Sequence, residues 1–266
     1  MEEDMLFCIF CALSGYSGRI LFFEVTDMNG LLQQLWDNFS FVVVCLLIVI
    51  ALSVLSKFSE QYFPDKRSVS KARYISIVGI CAAIATVLHM LDFPLPFLAP
   101  GFYKLDFSEL PVLLCGFYLG PSATVACEGI KILLKLLLKG TSTAFVGDFA
   151  NFVVGCSLVL PATIFYHIHK SRHSALIGLI LGSICITVFG SAFNAIYLLP
   201  KFAQLYGIPL EAIIGMGAKI HSSIHSVSSF VFFCVAPLNL LKGGMISLLT
   251  LLLYKRVARP LFGKDA

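Results

Sequence analysis

The chain has 266 residues, of which 58% are hydrophobic and 13% are charged, and its formal net charge at pH 7 is +4. Soluble domains contain about 45–50% apolar and about 25% charged residues, so this composition excludes an ordinary soluble domain. The mean hydropathy of +0.91 and the long apolar runs predict an all-α, polytopic membrane protein, because helices satisfy their own backbone hydrogen bonds in lipid. The small positive charge gives no basis for nucleic-acid binding.

Residues 1–38 are predicted to be an N-terminal extension. They lack the positively charged start and small-residue cleavage site of a signal peptide. Met28 opens a more ordinary N-terminal sequence, and we expect translation to begin there. The apolar run 39–55 then predicts one extra transmembrane helix, near the lower length limit for a span.

Six further apolar segments predict a membrane core at residues 72–262. Gly120 and Pro121 separate two short segments, Pro200 is expected to end the longest one, and Pro237 is expected to interrupt the last. Residues 201–219 are predicted to form a loop. The predicted core spans are 74–91, 110–119, 122–138, 149–166, 175–199 and 226–253.

Basic residues predict the orientation of these helices, because cytoplasmic loops are enriched in Lys and Arg. Three basic groups are separated by even numbers of crossings, at residues 66–73, 170–172 and 255–264. They therefore belong to one face, which we assign to the cytoplasm together with the C-terminus. The loops 92–111, 139–148 and 201–219 then share the outer face.

The segment 92–111 combines four prolines, several aromatic rings and four charged side chains. Prolines stiffen such a loop, and its aromatic and polar groups suit a planar, partly polar ligand. The alternative is an interfacial loop whose aromatic residues only contact lipid headgroups.

Four charged residues of the third core helix share one face, because their spacing is i, i+3, i+7 and i+11. They are Glu128, Lys131, Lys135 and Lys139. The stripe predicts either contacts to a polar or anionic substrate group, or a Glu128–Lys131 pair with outer lysines that reach the headgroups.

Polar residues in two other helices are further candidates. Asp148 is predicted to cap the helix that follows it. Asn151 and Asn194, the latter followed by Tyr197 one turn later, have amides that suit hydroxyl groups or a heterocycle edge. Contacts between helices are the alternative role for both asparagines.

Motifs for other activities are weak or missing in the sequence. His221 and His225 have a metal-compatible spacing, but no glutamate follows the first histidine. No nucleotide-binding fingerprint is present, so the chain by itself is not expected to hydrolyse ATP. Small residues spaced four apart, namely Gly79 with Ala83 and Ala82 with Thr86, indicate a face that another helix can approach closely.

Several motifs resemble the riboflavin-binding S components of energy-coupling factor (ECF) transporters. They occur in the family's order across about residues 72–262, and their combination is specific although each alone is weak. The motifs are residues 102–111, 128–131, 140–143, 147–151, 194–197 with Pro200, 237–243 and 254–256.

The resemblance implies a six-helix core in a bacterial cell membrane that captures riboflavin from outside. It also implies a transmembrane coupling subunit and two ATPase subunits as partners, and no enzymatic cofactor. The ligand residues implied are Tyr103, Lys104, Leu105, Asp106, Asn151, Asn194 and Tyr197, to which the charged stripe adds Lys131. Gly79, Ala82, Ala83 and Thr86 are the predicted contacts to the coupling subunit, in place of the family's alanine pair.

Three alternatives stay open at this stage. The chain is an S component for another vitamin, an intramembrane metal enzyme using His221 and His225, or an ion-coupled carrier, which would need inverted repeats. The lysines at 131 and 135 leave FMN open as a second ligand.

Overall fold

The computed structural model describes residues 39–63, 69–141, 143 and 145–262. The predicted extension at residues 1–38 lies outside them. Residues 1–47 and 48–266 form two units. Of the first unit the structure describes only residues 39–47, which form the start of a helix, and every contact reported below lies within the second.

The described residues are predominantly helical, as predicted, and a single pair of two-residue strands interrupts the helices. Strand β1 is Phe93–Pro94 and pairs antiparallel with β2, Lys104–Leu105. The α-helices are α1 Phe39–Gln61, α2 Lys71–Met90, α3 Glu109–Leu119, α4 Pro121–Lys139, α5 Val146–Ile168, α6 Arg172–Phe193, α7 Leu199–Tyr206, α8 Leu210–Ala218, α9 Val227–Phe230 and α10 Ala236–Phe262.

Two π-helical segments join neighbouring α-helices, and each one ends two residues before a proline. Asn194–Leu198 links α6 to α7, and Val231–Val235 links α9 to α10. The N–H of Leu199 donates to Asn194 O, and the N–H of Ala236 donates to Val231 O. These wide turns shift the hydrogen-bond register where the prolines at 200 and 237 provide no donor.

The π segment before Pro200 corrects one prediction. The helix does not end at Pro200 but continues to Tyr206. The segment 201–219 is likewise not a loop, because it contains the end of α7 and all of α8. Gly207, with a left-handed φ of 62°, separates these two helices.

Helix α1 packs against the core from Ile48 onward. Ile48, Val49 and Leu52 contact an apolar cluster of α4 and α5. Near the end of α1, the Glu60 carboxylate accepts hydrogen bonds from Ser122 N at 2.9 Å and Ser122 Oγ at 2.6 Å. Gly120 at the N-cap of α4 has no side chain that could accept a hydrogen bond from the first turn. Glu60 therefore accepts the hydrogen bond from the backbone N–H of Ser122 at the start of that helix.

Four helical runs in the described part of the chain are long and apolar enough to cross a membrane. They are Lys71–Met90, Val146–Ile168, Arg172–Leu205 and Val227–Tyr254. Helix α3 has 11 residues, and α4 carries the charged stripe. Spans at 39–55, 110–119 and 122–138 therefore stay predictions.

Candidate functional site

A cavity of about 280 Å³ lies at one end of the helix bundle. Its walls are formed by the ends of α2 and α4, the start of α5, the first π segment and the start of α10. The segment 91–108, Thr143 and Phe202 of α7 contribute the remaining walls. Side chains from separate elements thus converge on one cavity, which is the usual setting of a ligand site.

The short β1–β2 pair shapes the segment 91–108. Phe93 is paired with Leu105, and Pro94 with Lys104. Tyr103, next to this pair, donates from its hydroxyl to Asn194 Oδ1 at 2.7 Å. Burial raises the pKa of the Tyr103 hydroxyl, so it remains a donor. This bond ties the segment to the first π segment.

Asn194 is the first residue of that π segment and lines the cavity. Its side-chain N–H group donates to Gly190 O at 2.7 Å, which fixes the amide orientation and turns the carbonyl oxygen toward Tyr103. π segments occur often at functional sites because they displace side chains from the regular helical positions. Here the displacement brings Asn194 and Leu198 into the cavity wall.

A buried ion cluster lies at the base of the cavity. Lys242 Nζ lies 3.1 Å from Asp106 Oδ2 and 3.0 Å from Glu109 Oε1. His89 Nδ1 lies 3.4 Å from Asp106 Oδ2. Lys131 is fully buried and pairs with Glu128, as the spacing of the charged stripe predicted.

The charge of Asp106 depends on these partners. Burial alone would raise the pKa of its carboxyl, but Lys242, with help from His89 and Lys131, holds that pKa well below its usual range. The resulting stabilisation is present above the unfolded-state pKa of about 3.9 and is lost as the pH falls through the lower folded-state value. Asp106 is therefore ionised at neutral pH.

Two further ion pairs lie at the cavity walls. Lys135 Nζ contacts Asp148 Oδ1 at 2.5 Å, and Thr141 Oγ1 donates to Asp148 Oδ2 at 2.7 Å. Lys104 Nζ contacts Asp92 Oδ2 at 3.1 Å. The prediction that Asp148 is an N-cap is thus wrong, because α5 begins at Val146, before Asp148. The Asp148 carboxylate instead pairs with Lys135.

Asparagine amides supply neutral polar groups to the same cavity. Asn151 donates to Gly147 O at 3.0 Å. Asn239 on α10 is 8% exposed, and its Nδ2 has no hydrogen-bond partner among the described residues. A buried amide N–H without a partner costs free energy unless a ligand accepts its hydrogen bond.

The predicted ligand residues divide into two groups. Those that line the cavity are Tyr103, Lys104, Asp106, Asn151 and Asn194. Leu105, Lys131 and Tyr197 are not among the lining residues. Leu105 is 1% exposed, Lys131 lies within the ion cluster, and the Tyr197 ring stacks on Phe193 with centroids 5.3 Å apart.

Among the lining residues that were not predicted as ligand contacts are His89, Asn239 and Lys242. Asn239 and Lys242 are spaced i, i+3 in the last apolar span. Polar residues in such a span are rare enough to mark a functional site, so this signal was available. His89 gave no comparable signal, because a single histidine near a helix end is common.

The small residues of α2 lie on two different faces. Gly79 and Ala83 are exposed, and no other group of the described chain lies within 4 Å of a Cβ placed on Gly79. Ala82 and Thr86 are buried, and Thr86 Oγ1 donates to Ala82 O at 2.8 Å and to Lys131 O at 3.3 Å. Only the first pair is therefore accessible to another subunit.

The histidines at 221 and 225 lie on the segment between α8 and α9. The His221 ring stacks on Phe233 with centroids 4.4 Å apart, and its Nδ1 accepts a hydrogen bond from Ser223 N at 3.3 Å. In the described ranges no group of three or more His, Cys, Asp and Glu side chains is arranged to hold a metal ion.

Comparisons with known proteins agree with this architecture. The family described as "ECF transporter, substrate-specific component" matches residues 73–254. The riboflavin transporter RibU of Staphylococcus aureus is 33% identical over 193 residues, which cover 73% of this chain and 94% of that protein. The riboflavin transporter FmnP of Bacillus subtilis is 28% identical over 185 residues, which cover 69% of this chain and 91% of that protein.

A solved S component of a bacterial ECF transporter has the same fold. It superposes with a TM-score of 0.57 at 34% identity, and the match covers 73% of this chain and 99% of that chain. Helix α1 precedes the residues matched by the family. The chain belongs to the family of substrate-specific components of ECF transporters, as the sequence motifs predicted.

Proposed function

We propose that this chain is the riboflavin-binding membrane subunit of an ATP-driven ECF vitamin importer, and that it carries out no chemical reaction itself. The observation that carries the proposal is the cavity, where asparagine amides and buried charges meet aromatic rings in a chain related to named riboflavin transporters. Riboflavin combines a flat three-ring system with a chain of hydroxyl groups, and these two parts need different partners.

The isoalloxazine ring is proposed to pack against aromatic residues of the segment 91–108 and of the neighbouring helix α7. The Phe102 and Tyr103 rings lie with centroids 4.7 Å apart, and Phe202 approaches Phe102 at 6.0 Å. The cavity volume of about 280 Å³ is slightly below the range of about 300–1,000 Å³ for ligand pockets.

The ribityl hydroxyls are proposed to bond to the amides of Asn151, Asn194 and Asn239. The Asn239 Nδ2 without a partner is the clearest donor for a ligand oxygen. Hydroxyl groups both donate and accept, so they match amides better than a purely apolar ligand would.

FMN remains within the proposal as a second ligand. Lys104 and Lys135 line the cavity, and Lys139 contacts the lining residue Asp92. A phosphate group would need at least one of these lysines. Each of these lysines already pairs with a carboxylate. Lys104 and Lys139 pair with Asp92, the latter at 3.6 Å between Nζ and Oδ1, and Lys135 pairs with Asp148. A phosphate must displace such a carboxylate, so we expect riboflavin to bind more tightly than FMN.

The proposed partners are a transmembrane coupling subunit and two ATPase subunits encoded by other genes. The exposed face with Gly79 and Ala83 is the proposed contact to the coupling subunit, because small residues allow close helix approach. We also propose that the C-terminus lies in the cytoplasm and that the cavity faces the outside of a bacterial cell membrane, because basic residues favour the cytoplasmic face.

The first experiment is a titration of the detergent-purified chain with riboflavin, followed by quenching of flavin fluorescence. Saturable quenching at nanomolar concentration, or co-purified yellow flavin, supports the proposal. Replacing Asn151 or Asn194 by Ala should each weaken binding by about 1–3 kcal/mol, because ligand hydroxyls lose their partners. Gln204, an exposed amide of α7, provides the control as Gln204→Ala.

A colourless protein that does not respond to riboflavin would contradict the proposal, and so would parental affinity in both asparagine variants. The first result would favour an S component for another vitamin, because the fold and family stand without riboflavin.

A further inference from the structure

We propose that Glu109, which does not line the cavity, is a positioning residue that holds the Lys242 ammonium in the cavity wall. The inference rests on the proposed riboflavin site and adds to it a residue from outside the cavity. The inference is based on a chain of five buried charges that alternate in sign. In order, they are Glu128, Lys131, Glu109, Lys242 and Asp106.

Glu109 lies at the centre of this chain. Its Oε1 atom lies 3.0 Å from Lys242 Nζ and 3.6 Å from Lys131 Nζ, and its side chain is 2% exposed. A carboxylate this deeply buried is stable only beside positive charges, and both lysines depend on it in the same way. Each ammonium group is consequently held in one place.

The two carboxylates beside Lys242 differ in how firmly they are fixed. Asp106 belongs to the segment 91–108, which contains no helix and only the two-residue strands β1 and β2. Glu109 is the first residue of α3, a helix whose following residues, Pro111 to Tyr118, are all buried. Glu109 is therefore the more firmly fixed of the two carboxylates that hold the Lys242 ammonium.

The far side of Glu109 is also fixed. Lys131 pairs with Glu128 and donates to Ser108 Oγ at 3.0 Å. A Cβ on Gly155 would overlap the Glu128 carboxylate and lie 3.4 Å from Glu109 Oε1. The glycine therefore leaves room for both carboxylates, and a larger residue would displace them.

Glu109→Gln tests the inference, because the amide keeps the shape of the side chain and removes its charge. We expect riboflavin affinity to fall by about tenfold or more, as a charge-assisted hydrogen bond is lost. Glu211→Gln, the same change at an exposed position of α8, should leave affinity unchanged. Glu128→Gln should have a smaller effect than Glu109→Gln, since Glu128 contacts Lys131.

A double-mutant cycle distinguishes positioning from general damage. If Glu109 acts through Lys242, Glu109→Gln should cause no further loss of affinity in a Lys242→Met background. Additive losses would overturn the inference, and so would parental affinity in Glu109→Gln. Glu109→Asp keeps the charge and replaces Glu109→Gln in the same cycle if the latter does not fold.

A second measurement needs no riboflavin. Acylation of lysines by acetic anhydride, followed by mass spectrometry, reports how firmly each ammonium is held, because only the free amine reacts. Lys242 should react faster in Glu109→Gln than in the parent, relative to the exposed Lys139 in the same molecule. Unchanged relative rates would overturn the inference. If the parent does not bind riboflavin but Lys242 reacts faster in Glu109→Gln, only the proposed ligand is contradicted.

Discussion

The half of the bundle around the cavity and the opposite half are held together by different interactions. The cavity half contains five buried charges in one chain and further ion pairs at the cavity walls. The opposite half contains closely packed aromatic and small residues. There the Phe117 and Tyr166 rings lie 4.6 Å apart, and the Tyr166 and Tyr254 hydroxyls lie 2.9 Å apart.

This difference predicts two kinds of sensitivity. Removing one member of a buried ion pair leaves an uncompensated charge, whereas removing both members is tolerated much better. The stability of a closely packed region instead depends on side-chain volume, and even one added methyl group can lower it. The stability of the cavity half should therefore depend on whether charged residues keep their partners. The stability of the opposite half should depend on the size of single residues.

Lys131→Met should have the largest effect. It leaves the Glu128 carboxylate, which is fully buried, without its cation. We expect a loss of about 3–5 kcal/mol in the free energy of unfolding, measured by thermal unfolding in detergent. Lys139→Met is the matched control, because the Lys139 side chain is 44% exposed.

The double variant Lys131→Met with Glu128→Leu should recover part of that loss, because the pair is removed together. If the double variant is less stable than Lys131→Met alone, the cavity half does not depend on charge pairing as described.

Gly178→Ala tests the opposite half. A Cβ at this position of α6 would lie 2.6 Å from the backbone oxygen of Ala162 on α5, so the two helices must separate. We expect a loss of about 1–3 kcal/mol in the free energy of unfolding. Gly215→Ala on α8, with no atom within 4 Å, should be neutral or stabilising by up to about 1 kcal/mol. Equal unfolding temperatures of the two variants would contradict close packing as the source of stability.

The sequence predicted the fold class and much of the cavity half. Apolar runs and their proline and glycine breaks predicted the helices, because these patterns follow from local chemistry. The i, i+3 spacing of Glu128 and Lys131 predicted their pair. The family motifs placed Tyr103, Asn151 and Asn194 in a common site, and all three line the cavity.

Contacts between distant residues could not be predicted in the same way. Asp148 follows a loop and suggested an N-cap, but Lys135, 13 residues earlier, is its partner. Lys242 and Asp106 are 136 residues apart, so no local spacing connects them. The π segments were also missed, because Pro200 predicted a helix end and only the packed helices show that the register can shift instead.

Glu60→Ala sharpens the comparison, because Glu60 provides a polar contact within the otherwise apolar packing of α1. The change removes the acceptor for Ser122 N and Oγ at the start of α4. Loss of a helix cap costs about 0.5–2 kcal/mol in the free energy of unfolding. Lys57→Ala, at an exposed position one turn earlier, is the control. Indistinguishable unfolding of the two variants would show that α1 does not stabilise the start of α4.

Tyr103→Phe should give the smallest change, and it separates the two roles of this residue. The ring contacts with Phe102 and Phe230 remain, with centroids at 4.7 Å and 6.2 Å in the parent, while the hydroxyl that donates to Asn194 Oδ1 is lost. Asn194 then loses one of the two bonds that orient its amide, so riboflavin binding should weaken by about 0.5–1.5 kcal/mol.

Tyr103→Ala removes the ring as well and should weaken binding further, because the flavin loses an aromatic contact. Riboflavin titrations of both variants measure the two contributions separately. If Tyr103→Phe binds as weakly as Tyr103→Ala, the hydroxyl bond between the segment 91–108 and the first π segment is the main contribution of Tyr103. The cavity half would then depend on neutral hydrogen bonds as strongly as on its charge pairs, and the contrast with the opposite half would have to include both.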